Sequence, residues 1–200
     1  MKLRKCLMVC ALASVMTVGS VSFVNAAGSR TNDLTVTGDT AQQYEITAEI
    51  EESEAYRTLA QEAPEIVDII DGVNDGTMEM VDVITKLQDM AETIEDEEVK
   101  AALEEVIAVL EKKEFVTGFI DLIALEVAEK NGEGNYEISI SVPSLTDKME
   151  NVEILHYSMD RSVWEIVEPT DVDLEKKVIE AEFEDLSPIA VICDQIEDAE

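Results

Sequence analysis

From Asn135 to Cys193 the chain alternates apolar and polar residues at every second position, in the runs NYEISISVP, NVEILHYS, SVWEIVEP, KKVIEAEFEDL and SPIAVIC. Tyr136, Ile138, Ile140 and Val142 fall on one side of an extended chain, and Glu137, Ser139 and Ser141 on the other. Ile179, Ala181 and Phe183 oppose Val178, Glu180 and Glu182 in the same way. A period of two predicts a meander of short antiparallel strands, each with one face on a single core and one face in water. Turn chemistry divides the runs at Pro143, at Met159 to Arg161 and at Pro169 to Asp173.

Between Tyr44 and Lys113 the period lengthens to that of helices. Ser53 to Ala63 forms a first segment, and Pro64 suits the first turn of a second. The second carries the stripe Ile66, Val67, Ile69, Ile70 and Val73, with Asp71 and Gly72 as a stop signal. Thr77 is the expected cap of a third helix with Met80, Val83, Ile84, Leu87, Met90 and Ala91 on one side. Asp96 to Glu98 open a fourth, where carboxylates favour the positive end of the dipole. Its stripe is Val99, Ala102, Leu103, Val106 and Leu110, and Lys112 and Lys113 lie at its negative end. Phe115 to Leu122 fits a strand through Thr117 and Gly118, while Ile120 to Ala128 fits a helix equally well. Asn131 to Asn135 is a turn.

The start of the chain has another character. Lys2, Arg4 and Lys5 precede an apolar and small-residue run, Cys6 to Val24, and Val24 and Ala26 suit a signal-peptidase site. Cleavage is expected after Ala26. Ser14, Thr17, Gly19 and Ser20 interrupt the run, which argues against a retained membrane anchor. Val9 is too bulky for a lipoprotein site at Cys10. Cys193 would then be the one remaining cysteine, without an intrachain disulfide and placed as a buried small hydrophobe. Residues 27–43 are polar and read as a flexible linker, with Leu34 to Thr37 as a short strand.

Charge narrows the partners. The chain has 46 acidic and 14 basic residues. Loss of the three bases in residues 1–26 leaves 46 against 11, a formal charge of −35. Such a chain repels nucleic acid and anionic membrane surfaces. The last apolar run, Ile189 to Ile192, is too short to span a membrane.

Val142, Pro143, Leu145, Val152, Leu155, His156, Tyr157 and Ser158 form one group of matching residues. Trp164, Glu165, Ile166, Pro169, Phe183, Leu186, Ser187, Pro188, Ala190 and Val191 form another. On these residues the last third resembles a C-terminal β module of secreted and surface proteins of anaerobic Gram-positive bacteria. The resemblance implies an extracellular compartment and an antiparallel β fold. It implies no catalytic residue.

Candidate chemistry is sparse. Asp71 to Asp82, DGVNDGTMEMVD, places Asp71, Asp75, Gly76, Thr77, Glu79 and Asp82 at positions of a calcium loop. Val73 stands where a side-chain oxygen is wanted, and Asp-Gly is also ordinary inter-helix turn chemistry. His156, the single histidine, shares a strand face with Val152 and Ile154 and reads as packed at the edge of a sheet core. Trp164 reads as a core anchor. A carboxylate-dependent hydrolase remains an alternative, since its acids are identified by geometry rather than by motif.

The reading is an α+β chain: a small helical region followed by an antiparallel β-sandwich-like domain. The expected divisions are a signal peptide at 1–26, a linker at 27–43, a helical region at 44–113, the β domain at 114–194 and an acidic tail at 195–200. The expected role is a secreted, non-catalytic module that contacts a protein or a cell-envelope component. No catalytic, cofactor-binding or metal residue is assigned, and the calcium loop stands as an alternative.

Overall fold

The computed structural model describes residues 32–194. The signal peptide, its cleavage site, Cys6, Cys10, the first residues of the linker and the acidic tail lie outside them.

Among the described residues ten strands form two antiparallel sheets. In chain order they are β1 (Thr35–Thr37), β2 (Tyr44–Thr47), β3 (Lys113–Phe115), β4 (Ile120–Ala124), β5 (Tyr136–Ser141), β6 (Glu153–Ser158), β7 (Val163–Val167), β8 (Asp171–Asp173), β9 (Val178–Phe183) and β10 (Pro188–Asp194). Four helices lie between β2 and β3: α1 (Glu54–Glu62), α2 (Pro64–Asn74), α3 (Met80–Thr93) and α4 (Glu97–Leu110). One sheet runs β1-β5-β9-β8. The other runs β2-β4-β10-β6-β7, with β3 also paired to β10. The α+β, sandwich-like architecture expected from the sequence is therefore present.

β10 shows how the layers are built. Ile189, Val191 and Cys193 join the core between the sheets, while Ala190 and Ile192 join the core under the helices. β6 divides likewise, with Ile154 on one side and Leu155 and Tyr157 on the other. The larger sheet is thus covered twice, by the smaller sheet and by the helices. This corrects the single-core meander. A strand buried on both faces reads as a continuous apolar run, as SPIAVIC does. Covering both faces makes the chain alternate between sheets, so only β6–β7 and β8–β9 are sequential neighbours here.

Local corrections have identifiable causes. The expected linker holds β1, which pairs with β5. The expected helical region opens on β2, whose Tyr44 packs in the inter-sheet core. The ambiguous segment after α4 is strand, since β3 and β4 both pair with β10. Between them the N–H groups of Val116 and Thr117 share the Val191 carbonyl, a bulge-like break. Asp71 and Gly72 do not end α2, which continues to Asn74. Gly72 is there because Met78 folds back on it: a Cβ would stand 2.6 Å from Met78 Cγ. Glu79, not Thr77, caps α3, in a reciprocal capping box with Asp82. Ala102 is exposed, and Ile107 is buried in its place on α4. Lys113 is not a solvated helix end. It is 4% exposed and pairs with Glu153 and Asp194, each at 2.7 Å.

Candidate functional site

The hairpin β6–β7 presents a different chemistry on each face. Its register pairs His156 with Glu165 and Tyr157 with Trp164. Alternation then sends Tyr157 and Trp164 toward the helices, while His156 lies edge-on to Phe183 of the smaller sheet.

On the inter-sheet side lies a polar seam. His156 is fully buried in an interior strand, within the sheet core rather than at its edge. Its Nδ1 is 2.7 Å from Glu165 Oε1, and its Nε2 is 2.8 Å from Ser187 Oγ. Arg161 Nη2 donates to Glu165 at 2.7 Å and to Asp185 at 3.2 Å. Ser158 Oγ donates to Asp185 and accepts from Arg161. Burial pushes the Glu165 carboxyl up, but the hydrogen bonds from His156 and Arg161 outweigh it and hold it below the usual carboxylate range.

The order serine, histidine, carboxylate is that of a hydrolytic triad, but the serine proton is directed to a backbone carbonyl. A hydroxyl has one proton. Ser187 donates it to the Tyr157 carbonyl at 2.5 Å, because a carbonyl cannot donate. In that arrangement the Ser187 proton is directed away from His156 Nε2. A triad histidine has to accept from serine. The seam is an internally satisfied staple joining β6, β7 and the turn before β10.

The ligand atoms of His156, Glu165 and Asp185 lie within 4.8 Å of one another, which is compatible with a metal ion. Arg161 already bridges the two carboxylates with its own positive charge, and the histidine nitrogens are engaged. The acids of the calcium-like stretch are engaged as well. Asp71 accepts from Tyr56 at 2.9 and 3.0 Å, Asp75 accepts from Thr77, and Glu79 and Asp82 cap α3. Asn74 clamps Phe119, accepting from its N–H at 2.6 Å and donating to its carbonyl at 3.0 Å. This segment fastens α2 to the β3–β4 bend.

Three concave regions flank the hairpin, one of them, about 640 Å³, beside Lys113, Glu153 and Glu168. A cleft of about 450 Å³ includes Asp121, Lys130, Tyr136, Glu184 and Asp185 in its lining. Burial holds the Asp121 carboxyl up to about 6, against opposing hydrogen bonds from Ser53 and the Leu122 N–H. Asp121 is 2% exposed, so its carboxyl is more wall than reagent.

The third concavity is a groove between the helices and the outer face of β6–β7, also about 450 Å³. Leu59, Ile66, Leu103, Tyr157 and Trp164 form its buried floor. Ala63, Met90, Ile94, Val99, Met159 and Val163 line it and remain half-buried. Trp164 packs on Phe119 and Tyr157, as expected of a core anchor, yet its Nε1 has no hydrogen-bond partner. Sequence reading found the seam's histidine but not its partners. The four-residue turn Met159 to Ser162 sets the register, and that register names Glu165. The groove has no comparable signal, because its residues come from four helices and a hairpin. No family model, curated protein or solved structure matches the chain.

Proposed function

We propose that the chain is an exported, non-catalytic interaction module, and that the groove between the helices and β6–β7 is where its partner docks. The observation that carries this reading is the groove itself. It has the volume and apolar lining of ligand sites, which occupy about 300–1,000 Å³. Its half-buried rim leaves apolar surface to be covered. The polar seam offers no such opening, because its groups already satisfy one another.

Export is the second part of the proposal. The basic, apolar and small-residue order of residues 1–26 supports it. The mature protein should be recovered from culture medium with Ala27 at its N-terminus; recovery only from membranes at full-length mass contradicts export. No described helix is long and apolar enough to cross a membrane.

Docking is tested with a neutral naphthylamine dye that fluoresces in apolar surroundings. The protein should bind it saturably, and Val99→Glu should abolish the signal. Glutamate in the first turn of α4 is compatible with the helix dipole, so this variant should keep its fold. Undiminished dye binding by the folded variant would remove the groove from consideration.

A further inference from the structure

We infer that the groove takes a peptide segment in which apolar side chains are flanked by lysine or arginine. This inference rests on the docking reading above and names the chemistry of the partner. The floor fixes the apolar half of the requirement. The rim fixes the charge. Glu62 and Glu65 line the groove and are exposed, and among the described residues no lysine, arginine or histidine lines it. Buried in the wall, the Tyr157 phenol is pushed up first by its burial and further by the negative charge of Glu65, against the Ser162 hydrogen bond. The Glu65 carboxylate is therefore felt inside the groove and not only at the surface.

Two opposing terms come from the positive ends of α2 and α4, which open beside Glu65 and Val99. Each amounts to about half a charge. Asp96 caps α4, Glu97 and Glu98 occupy its first turn, and Glu65 occupies that of α2, so the local balance stays negative. Tyr157 and Trp164 set an aromatic floor beneath this rim. Met90 and Met159 at the rim are unbranched and adapt to the shape of an occupant.

Trp164 is the chain's single tryptophan and reports on the groove without a label. Its emission should be followed while the purified protein is titrated with three six-residue peptides. In these, leucine alternates with lysine, glutamine or glutamate. The lysine peptide is expected to bind at least tenfold more tightly than the glutamine peptide, and the glutamate peptide not detectably. The protein is acidic throughout, so general attraction must be separated from the rim. Glu62→Gln with Glu65→Gln removes two charges from a net of −32. If the rim selects the cation, this pair should erase most of the tenfold preference. A preference that survives the double variant assigns it to the overall field and overturns the inference. Equal binding of the lysine and glutamine peptides also overturns it, while leaving the docking reading in place. No response to either peptide overturns the docking reading itself.

Discussion

The two faces of one hairpin differ in what they leave undone. On the inner face His156, Glu165, Arg161, Asp185, Ser158 and Ser187 hydrogen-bond one another and nearby backbone. On the outer face Met159 and Val163 are only half covered, and the buried Trp164 Nε1 lacks a hydrogen-bond partner. The inner face holds most of the groups that catalysis commonly uses, yet they already hydrogen-bond one another. The outer face holds almost none of them, yet its surface is incomplete. Residue chemistry points to the seam as the site; hydrogen-bond accounting and exposure point to the groove.

Removing the seam's central member should have the largest effect. His156→Ala leaves Glu165 and Ser187 without their partner and opens a hole against Phe183. Leaving a buried hydrogen-bonding group without its partner costs about 1–3 kcal/mol. Urea unfolding should show a loss of that order. A loss below about 1 kcal/mol would make the seam an ordinary surface pair.

Asp121 separates the seam's pH response from that of its surroundings. Its carboxyl is raised by burial to about 6, so the folded state holds the proton more tightly than the unfolded state. The associated penalty is absent below the unfolded value of about 3.9 and complete above about 6. The gap corresponds to about 3 kcal/mol as an upper figure. Glu165 has the opposite sign. Its folded pKa is depressed, so its contribution is complete above the unfolded value of about 4.3 and is lost as pH falls through the folded one. Asp121→Asn should therefore stabilise the protein by about 1–3 kcal/mol at pH 7 and by almost nothing at pH 3. Equal stabilisation at both pH values would remove ionisation as the cause.

Two smaller effects bear on groups outside both faces. Cys193 is fully buried, and burial, with the negative charge of Glu114 adding to it, pushes its thiol up to about 11. The folded protein should not react with a disulfide reagent at pH 8, and full reaction should require denaturant. Chelation should leave the melting temperature unchanged, because the acids of Asp71 to Asp82 already serve Tyr56, Thr77 and the α3 cap. A fall of several degrees on chelation, abolished by Asp75→Ala, would reinstate calcium.

The sequence exposes most of the elements and little of their assembly. Period-two runs mark β5 and β9 because each has one buried face, with Ile138 and Ile140 or Ile179, Ala181 and Phe183 inward. The same rule fails to describe β10, where both faces are buried and alternation disappears. The end of α2 is misread because Gly72 serves a contact with Met78 and not a helix stop. Lys113 is misplaced because its partners, Glu153 and Asp194, are distant in sequence. His156 and Trp164 are recognised as buried, but their opposite surroundings depend on which sheet or helix covers each face.

The most direct test compares one variant from each face by Trp164 emission during titration with the leucine–lysine peptide. Ser187→Ala disturbs the seam without touching the groove, and Val99→Lys puts a positive charge into the groove without touching the seam. The account predicts that Ser187→Ala is less stable but binds as the parent does, whereas folded Val99→Lys does not bind. Loss of binding by folded Ser187→Ala, with Val99→Lys unaffected, would place the function in the seam and contradict the account.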